Sequence, residues 1–166
     1  MSHTDTDNCP KTYNCSADVY AEFHSRLRSQ SNECFYALCL NEKKELIEEI
    51  EFPAGDPGEI ALPLRQVLRQ VLLTDALHVI FVHNHPSNDV QPSDADLQTT
   101  EKLSAGLAVL GIWVLDHLII GDGRYASLAD RGELHGALPL PRVPMSPDGE
   151  VYRGSVSVVP DEEGGE

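Results

Sequence analysis

Residues 78–97 read His78-Val79-Ile80-Phe81-Val82-His83-Asn84-His85-Pro86-Ser87-Asn88-Asp89-Val90-Gln91-Pro92-Ser93-Asp94-Ala95-Asp96-Leu97, and this stretch decides the fold class and the chemistry expected of the chain. The apolar run from Ala76 to Val82 reads as a strand. In a strand residues i and i+2 project from the same face, so His83 and His85 leave it together. Pro92-Ser93-Asp94 has the composition of a helix start. That puts Asp96 in the first turn, where a carboxylate is favoured and can swing back toward the imidazoles. Two neutral nitrogens and one carboxylate suit zinc, and three protein ligands with a fourth position left to water is the pattern of catalytic zinc. Ser93-x-x-Asp96 ahead of Leu97 is also a capping-box pattern, and the two readings are compatible. What sets the stretch apart is the conjunction of His-x-His with Ser and Asp at set offsets.

The spacing His83-x-His85, seven residues, Ser93, two residues, Asp96 resembles the signature of the JAMM (JAB/MPN) metalloproteases. His-Asn-His-Pro-Ser at 83–87, Pro92-Ser93, and Leu115-Asp116-His117-Leu118-Ile119-Ile120-Gly121-Asp122-Gly123-Arg124-Tyr125 resemble the RadC-like branch of that superfamily, over about Asp18 to Leu134. The resemblance implies an α/β fold: a single mixed β-sheet flanked by helices, JAB/MPN-like, in a layering similar to that of cytidine deaminases. It implies that His83, His85 and Asp96 hold one zinc ion and that Ser93 steadies the oxyanion. It also implies that Glu33, in the segment Glu33-Cys34-Phe35-Tyr36-Ala37-Leu38-Cys39-Leu40, is the general base. Each role has a chemical reason. Attacking water needs a base, the leaving amine needs an acid, and charge developing on the carbonyl oxygen needs a donor nearby.

The activity so implied is zinc-dependent hydrolysis of an isopeptide or peptide bond at a ubiquitin-like modifier or a protein tail. The alternative is a non-catalytic scaffold of the same superfamily, and a weaker one is a DNA-associated RadC-type protein. RadC-like chains usually have Gly where Asn88 stands, which suggests a positive-φ turn, and Asn is the next most tolerant residue there. Full-length RadC-like proteins carry an N-terminal helix-hairpin-helix region, which a chain of this length is expected to lack.

With 166 residues, one domain is expected, large enough to bury a core without staples. A formal charge of −15 would repel phosphate, and the 12 Lys and Arg are scattered rather than gathered into a stripe, so no nucleic-acid partner is expected. The letters His-Asn-His do not make a metal nuclease, whose three residues are dispersed over a ββα unit. A nucleobase deaminase lacks support because there is no His-x-Glu with Pro-Cys-x-x-Cys. No apolar run approaches membrane-spanning length and Met1-Ser2-His3-Thr4-Asp5 is no signal peptide, so a cytoplasmic protein is expected. Four cysteines without a Cys-x-x-Cys pair read as free thiols, Cys34 and Cys39 falling on opposite faces of one strand.

Along the chain, residues 1 to about 17 read as a flexible leader. A short amphipathic helix follows, capped by Asp18, with Val19, Tyr20, Phe23 and Leu27 on its apolar face, to about Ser29. Cys34–Leu40 and Glu45–Phe52 flank a polar turn as a hairpin, and Gly55, Pro57 and Gly58 mark a loop. Pro63 opens a second helix with the apolar stripe Leu64, Val67, Leu68, Val71 and Leu72. Leu97, Leu103, Leu107 and Leu110 define a third, closed by Gly111. Ile112–Ile120 reads as a strand that turns at Asp122-Gly123 into Tyr125–Leu128. His117 reads as a buried, hydrogen-bonded strand histidine, the alternative being a residue that supports the site, and Trp113 reads as a core residue. Residues 137–166 read as a Pro-rich, acidic tail.

Overall fold

The computed structural model describes residues 10–28, 30–52 and 62–134. In chain order its elements are α1 (Ser16–Leu27), β1 (Phe35–Leu40), β2 (Leu46–Phe52), α2 (Leu64–Leu72), β3 (His78–Asn84), α3 (Asp94–Val109), β4 (Trp113–Gly121) and β5 (Arg124–Ser127). The strands form one mixed sheet in the order β2-β1-β3-β4-β5. Only β3 and β4 run parallel, joined through α3, and the other neighbours are antiparallel. This is the single mixed α/β sheet flanked by helices that the sequence predicts.

Alternation along the strands gives each face its own core. One face packs Leu38, Ile80, Val82, Leu118 and Ile120 against Val19, Tyr20, Phe23 and Leu27 of α1. The other packs Ala37, Cys39, Val79, Phe81 and Val114 against Val67 and Val71 of α2 and Leu103 and Leu107 of α3. Cys34 packs with the first core and Cys39 lies in the second, so their side chains diverge as alternation requires. Cys15, Cys34 and Cys39 are free thiols. No helix among the described residues is long and apolar enough to cross a membrane.

An irregularity in β4 matters for the site. Val79 pairs with Val114, but Ile80 pairs with Asp116, so β4 carries one extra residue against β3. A single insertion exchanges the faces of every residue that follows. His117 therefore sits opposite Phe81, on the α2/α3 face, where strict alternation from Val114 would have turned it to the α1 face.

Several expectations need correction. The first helix starts at Ser16, and Asp18 is its third residue rather than its cap. From inside the first turn Asp18 Oδ2 accepts the amides of Asn14 (2.8 Å) and Cys15 (3.2 Å). Within the stretch expected as a flexible leader, Thr12 bridges to Glu45, and Tyr13 is buried with its hydroxyl donating to Glu22 at 2.7 Å. Trp113 is 39% exposed rather than core, because it opens β4 at the sheet's end, immediately after the Gly111 turn. Leu72 and Leu110, expected in apolar stripes, end their helices and are exposed. The last strand ends at Ser127, one residue short of Leu128. The loop at Gly55, Pro57 and Gly58, Cys9, and the tail 137–166 lie outside the described residues.

Candidate metal centre

The site forms where β3 ends. His83 is on the strand and His85 just beyond it, both on the α2/α3 side. The chain then loops through Asn88, whose φ of 63° is the left-handed turn anticipated from the sequence. The Asn88 side chain accepts the amide of Asp122 at 2.9 Å, fastening this loop to the β4–β5 turn. Ser93 caps α3, accepting the Asp96 amide at 3.1 Å, while Asp96 Oδ2 accepts the Ser93 amide (2.8 Å) and hydroxyl (2.7 Å). The capping box and the ligand geometry are thus the same arrangement, because capping pins the Asp96 carboxylate at the helix N-terminus, facing the histidines.

His83 Nε2 lies 3.3 Å from Asp96 Oδ1, and His85 Nε2 lies 3.3 Å from Oδ2. The two imidazole nitrogens are 3.0 Å apart. His83, His85 and Asp96 therefore offer three ligand atoms to one point, the donor set expected from the sequence. His85 Nδ1 is 2.6 Å from the Asp89 carbonyl. A carbonyl only accepts, so Nδ1 carries the proton and Nε2 is free to ligate. Borderline nitrogen donors with one carboxylate fit Zn2+.

The electrostatics agree with a cation-seeking cluster. Burial pushes the Asp96 carboxyl up, but the two imidazoles facing it and the Ser93 hydroxyl outweigh that and hold the group well below the usual carboxylate range. The hydrogen bond to Asp96 raises His85, against burial, with the charge of Glu33 adding to the rise.

Glu33 lies two residues before β1, whose first residue Phe35 pairs with His83, so continuing that antiparallel register brings Glu33 toward His85, whose protonation its charge favours. Its segment is held by a residue that the sequence reading passed over. Asn84, buried between the two histidines, accepts the Cys34 amide at 2.7 Å and donates to the Asn32 carbonyl at 3.1 Å. Those contacts clamp the chain on both sides of Glu33. Ser93 lies at the site, with its hydroxyl donating to Asp96 Oδ2.

Thr100 was also missed. His83 Nδ1 is 2.7 Å from His117 Nε2, and His117 Nδ1 is 2.6 Å from Thr100 Oγ1. Burial drives His117 well below the ordinary histidine range, so it is neutral. The available signal was spacing: Thr100 follows Asp96 by one helical turn and shares its face.

Comparison with known proteins shows the family. Residues 13–133 match the RadC-like JAB domain family. A UPF0758 protein of Methanosarcina acetivorans is 45% identical over 124 residues, covering 74% of this chain and 54% of that protein. One from Syntrophotalea carbinolica is 43% identical over 122 residues, and one from Geobacter sulfurreducens 36% over 126, with 54% and 55% of those proteins covered and 74% and 76% of this chain. The chain spans about half the length of the curated relatives it matches. By its family match, and by identity across three quarters of its own length, this chain belongs to the RadC-like JAB domain family.

Proposed function

We propose that this protein is a zinc-dependent metallopeptidase that hydrolyses an isopeptide or peptide bond at a ubiquitin-like modifier or a protein tail. The observation that carries the reading is the convergence of His83 Nε2, His85 Nε2 and the Asp96 carboxylate beside the segment that leads from Glu33 into β1. Zinc, when bound, supplies a Lewis acid that acidifies water and polarises a carbonyl. Glu33 takes the proton of the attacking water and returns it to the leaving amine. Ser93 turns its hydroxyl from Asp96 toward the carbonyl oxygen as negative charge develops there. The Asn84 clamp keeps Glu33 at one distance from the reacting atoms, which matters because small misplacements are costly in rate. A chain of formal charge −15 suits a basic protein tail and disfavours nucleic acid.

The test is metal content by mass spectrometry on untagged protein, wild type beside Asp96→Ala, with hydrolysis of modifier conjugates and tail peptides by wild type and Glu33→Gln. About one zinc per chain in wild type, lost in Asp96→Ala, with cleavage abolished in Glu33→Gln, supports the reading. Zinc retained in a folded protein that cleaves no conjugate overturns the peptidase in favour of a binding scaffold. Protein that takes up no zinc on reconstitution overturns the metal centre itself.

A further inference from the structure

We propose that His117 and Thr100 are positioning residues of the metal centre: a one-way hydrogen-bond relay runs from His83 through them to the Asp96 carbonyl, leaving His83 Nε2 bare. The proposal rests on the reading of His83, His85 and Asp96 as a metal centre, and it adds two residues that hold the centre without touching its ligand position.

The relay contains three contacts: His83 Nδ1 to His117 Nε2 at 2.7 Å, His117 Nδ1 to Thr100 Oγ1 at 2.6 Å, and Thr100 Oγ1 to the Asp96 carbonyl oxygen at 2.7 Å. Its direction follows from counting protons. With one proton on each imidazole, as ligation through His83 Nε2 requires, and one on the hydroxyl, there is one proton per contact. The carbonyl cannot donate, so the Thr100 proton must fill the contact with Asp96; otherwise two oxygens would face each other at 2.7 Å with nothing between them. Oγ1 is then the acceptor for His117, whose proton sits on Nδ1. His117 Nε2 therefore carries a lone pair and accepts from His83 Nδ1–H. The Nε2 of His83, the atom that faces Asp96 and His85, has no proton. Running the relay backwards would place a proton on that atom and block it.

Packing supports the arrangement independently. His117 and Thr100 are both buried, so neither can exchange these partners for water. Phe35 meets the His117 ring edge-on at 5.5 Å between centroids and Phe81 does so at 6.0 Å, which fixes its plane. The irregularity in β4 brings His117 to this face, and the helical spacing of Asp96 and Thr100 closes the relay onto the third ligand's own backbone. The first and third ligands are thereby tied together through the interior.

The direction is testable on metal-free protein by tautomer-sensitive 15N–1H correlation of the imidazoles. We expect His83 and His117 both protonated at Nδ1; a proton on Nε2 of His117 overturns the relay. Its effect on the site is read by zinc affinity, measured by competition with a chromophoric chelator. Thr100→Val should weaken Zn2+ binding about 10–100-fold with an unchanged circular dichroism spectrum, while Thr100→Ser, which keeps the hydroxyl, should stay within about threefold of wild type. Wild-type affinity in Thr100→Val overturns the positioning role. Failure of wild type to bind zinc would instead overturn the metal reading, and the tautomer measurement would still decide the relay.

Discussion

Asn84 accepts the backbone amide of Cys34 at 2.7 Å, so the residue between the two histidines grips the segment that carries Glu33. Asn84→Ala removes that acceptor and leaves a backbone N–H short of a partner, a loss of about 1–3 kcal/mol by urea denaturation. On a substrate that wild type cleaves, turnover should fall while zinc stoichiometry stays at the wild-type level. Zinc lost together with turnover would show that Asn84 supports the ligands rather than Glu33.

Gly121 lies where the end of β4 touches the 88–90 loop. A Cβ there would meet Val90 Cγ1 at 2.9 Å and the Asn88 carbonyl oxygen at 3.3 Å. Gly121→Ala should therefore cost about 1–3 kcal/mol by overpacking. Because the same loop supplies the Asp89 carbonyl that orients His85, zinc affinity should weaken as well. Unchanged stability and affinity would mean that the loop yields without disturbing His85.

Asn88 combines a positive φ with the bond to the Asp122 amide. Asn88→Ala loses both advantages, and the left-handed conformation alone costs about 1–2 kcal/mol for a residue with a Cβ. Asn88→Gly keeps the conformation and loses only the side-chain acceptor, so it should be the milder change by thermal denaturation. Equal losses for Ala and Gly would assign the whole effect to the bond with Asp122.

Asp116 is buried on β4, and desolvation pushes its carboxyl up to about 6, against hydrogen bonds from the Ser127 hydroxyl and the amides of Ala129 and His117. Between the ordinary carboxylate range and that value the folded state binds the extra proton. Stability from this group is therefore complete at low pH and lost as pH rises through about 6. Asp116→Asn removes the titration, so its stability relative to wild type should rise by about 2–3 kcal/mol from pH 4 to pH 7. A difference independent of pH would show that Asp116 does not titrate in this range.

The candidate ligand set was legible because it is local. His83 lies on β3 and His85, two residues on, just past its end, and Asp96 is placed by a cap three residues after Ser93, so short-range geometry settles where each side chain points. Asn88's turn was legible for the same reason. Glu33 came only from the family resemblance, since a lone glutamate ahead of a strand carries no local mark, and its approach to His85 depends on pairing between β1 and β3 across some fifty residues. Asn84 was passed over because its partners, Asn32 and Cys34, are equally distant along the chain.

What the sequence by itself determined is therefore the period of each element, the strand end and helix start that carry the three candidate ligands, and their donor chemistry. Only the tertiary structure decided what stands behind them. Strict alternation from Val114 turns His117 away from His83, and the extra residue of β4 against β3 turns it back, a change of register that depends on how two strands pair. Trp113 shows the same limit, since its apolar ring marks it for a core while its position at the mouth of β4 leaves it exposed. Periodicity is carried by neighbours in the chain; register and burial are carried by neighbours in space, and only folding brings those together.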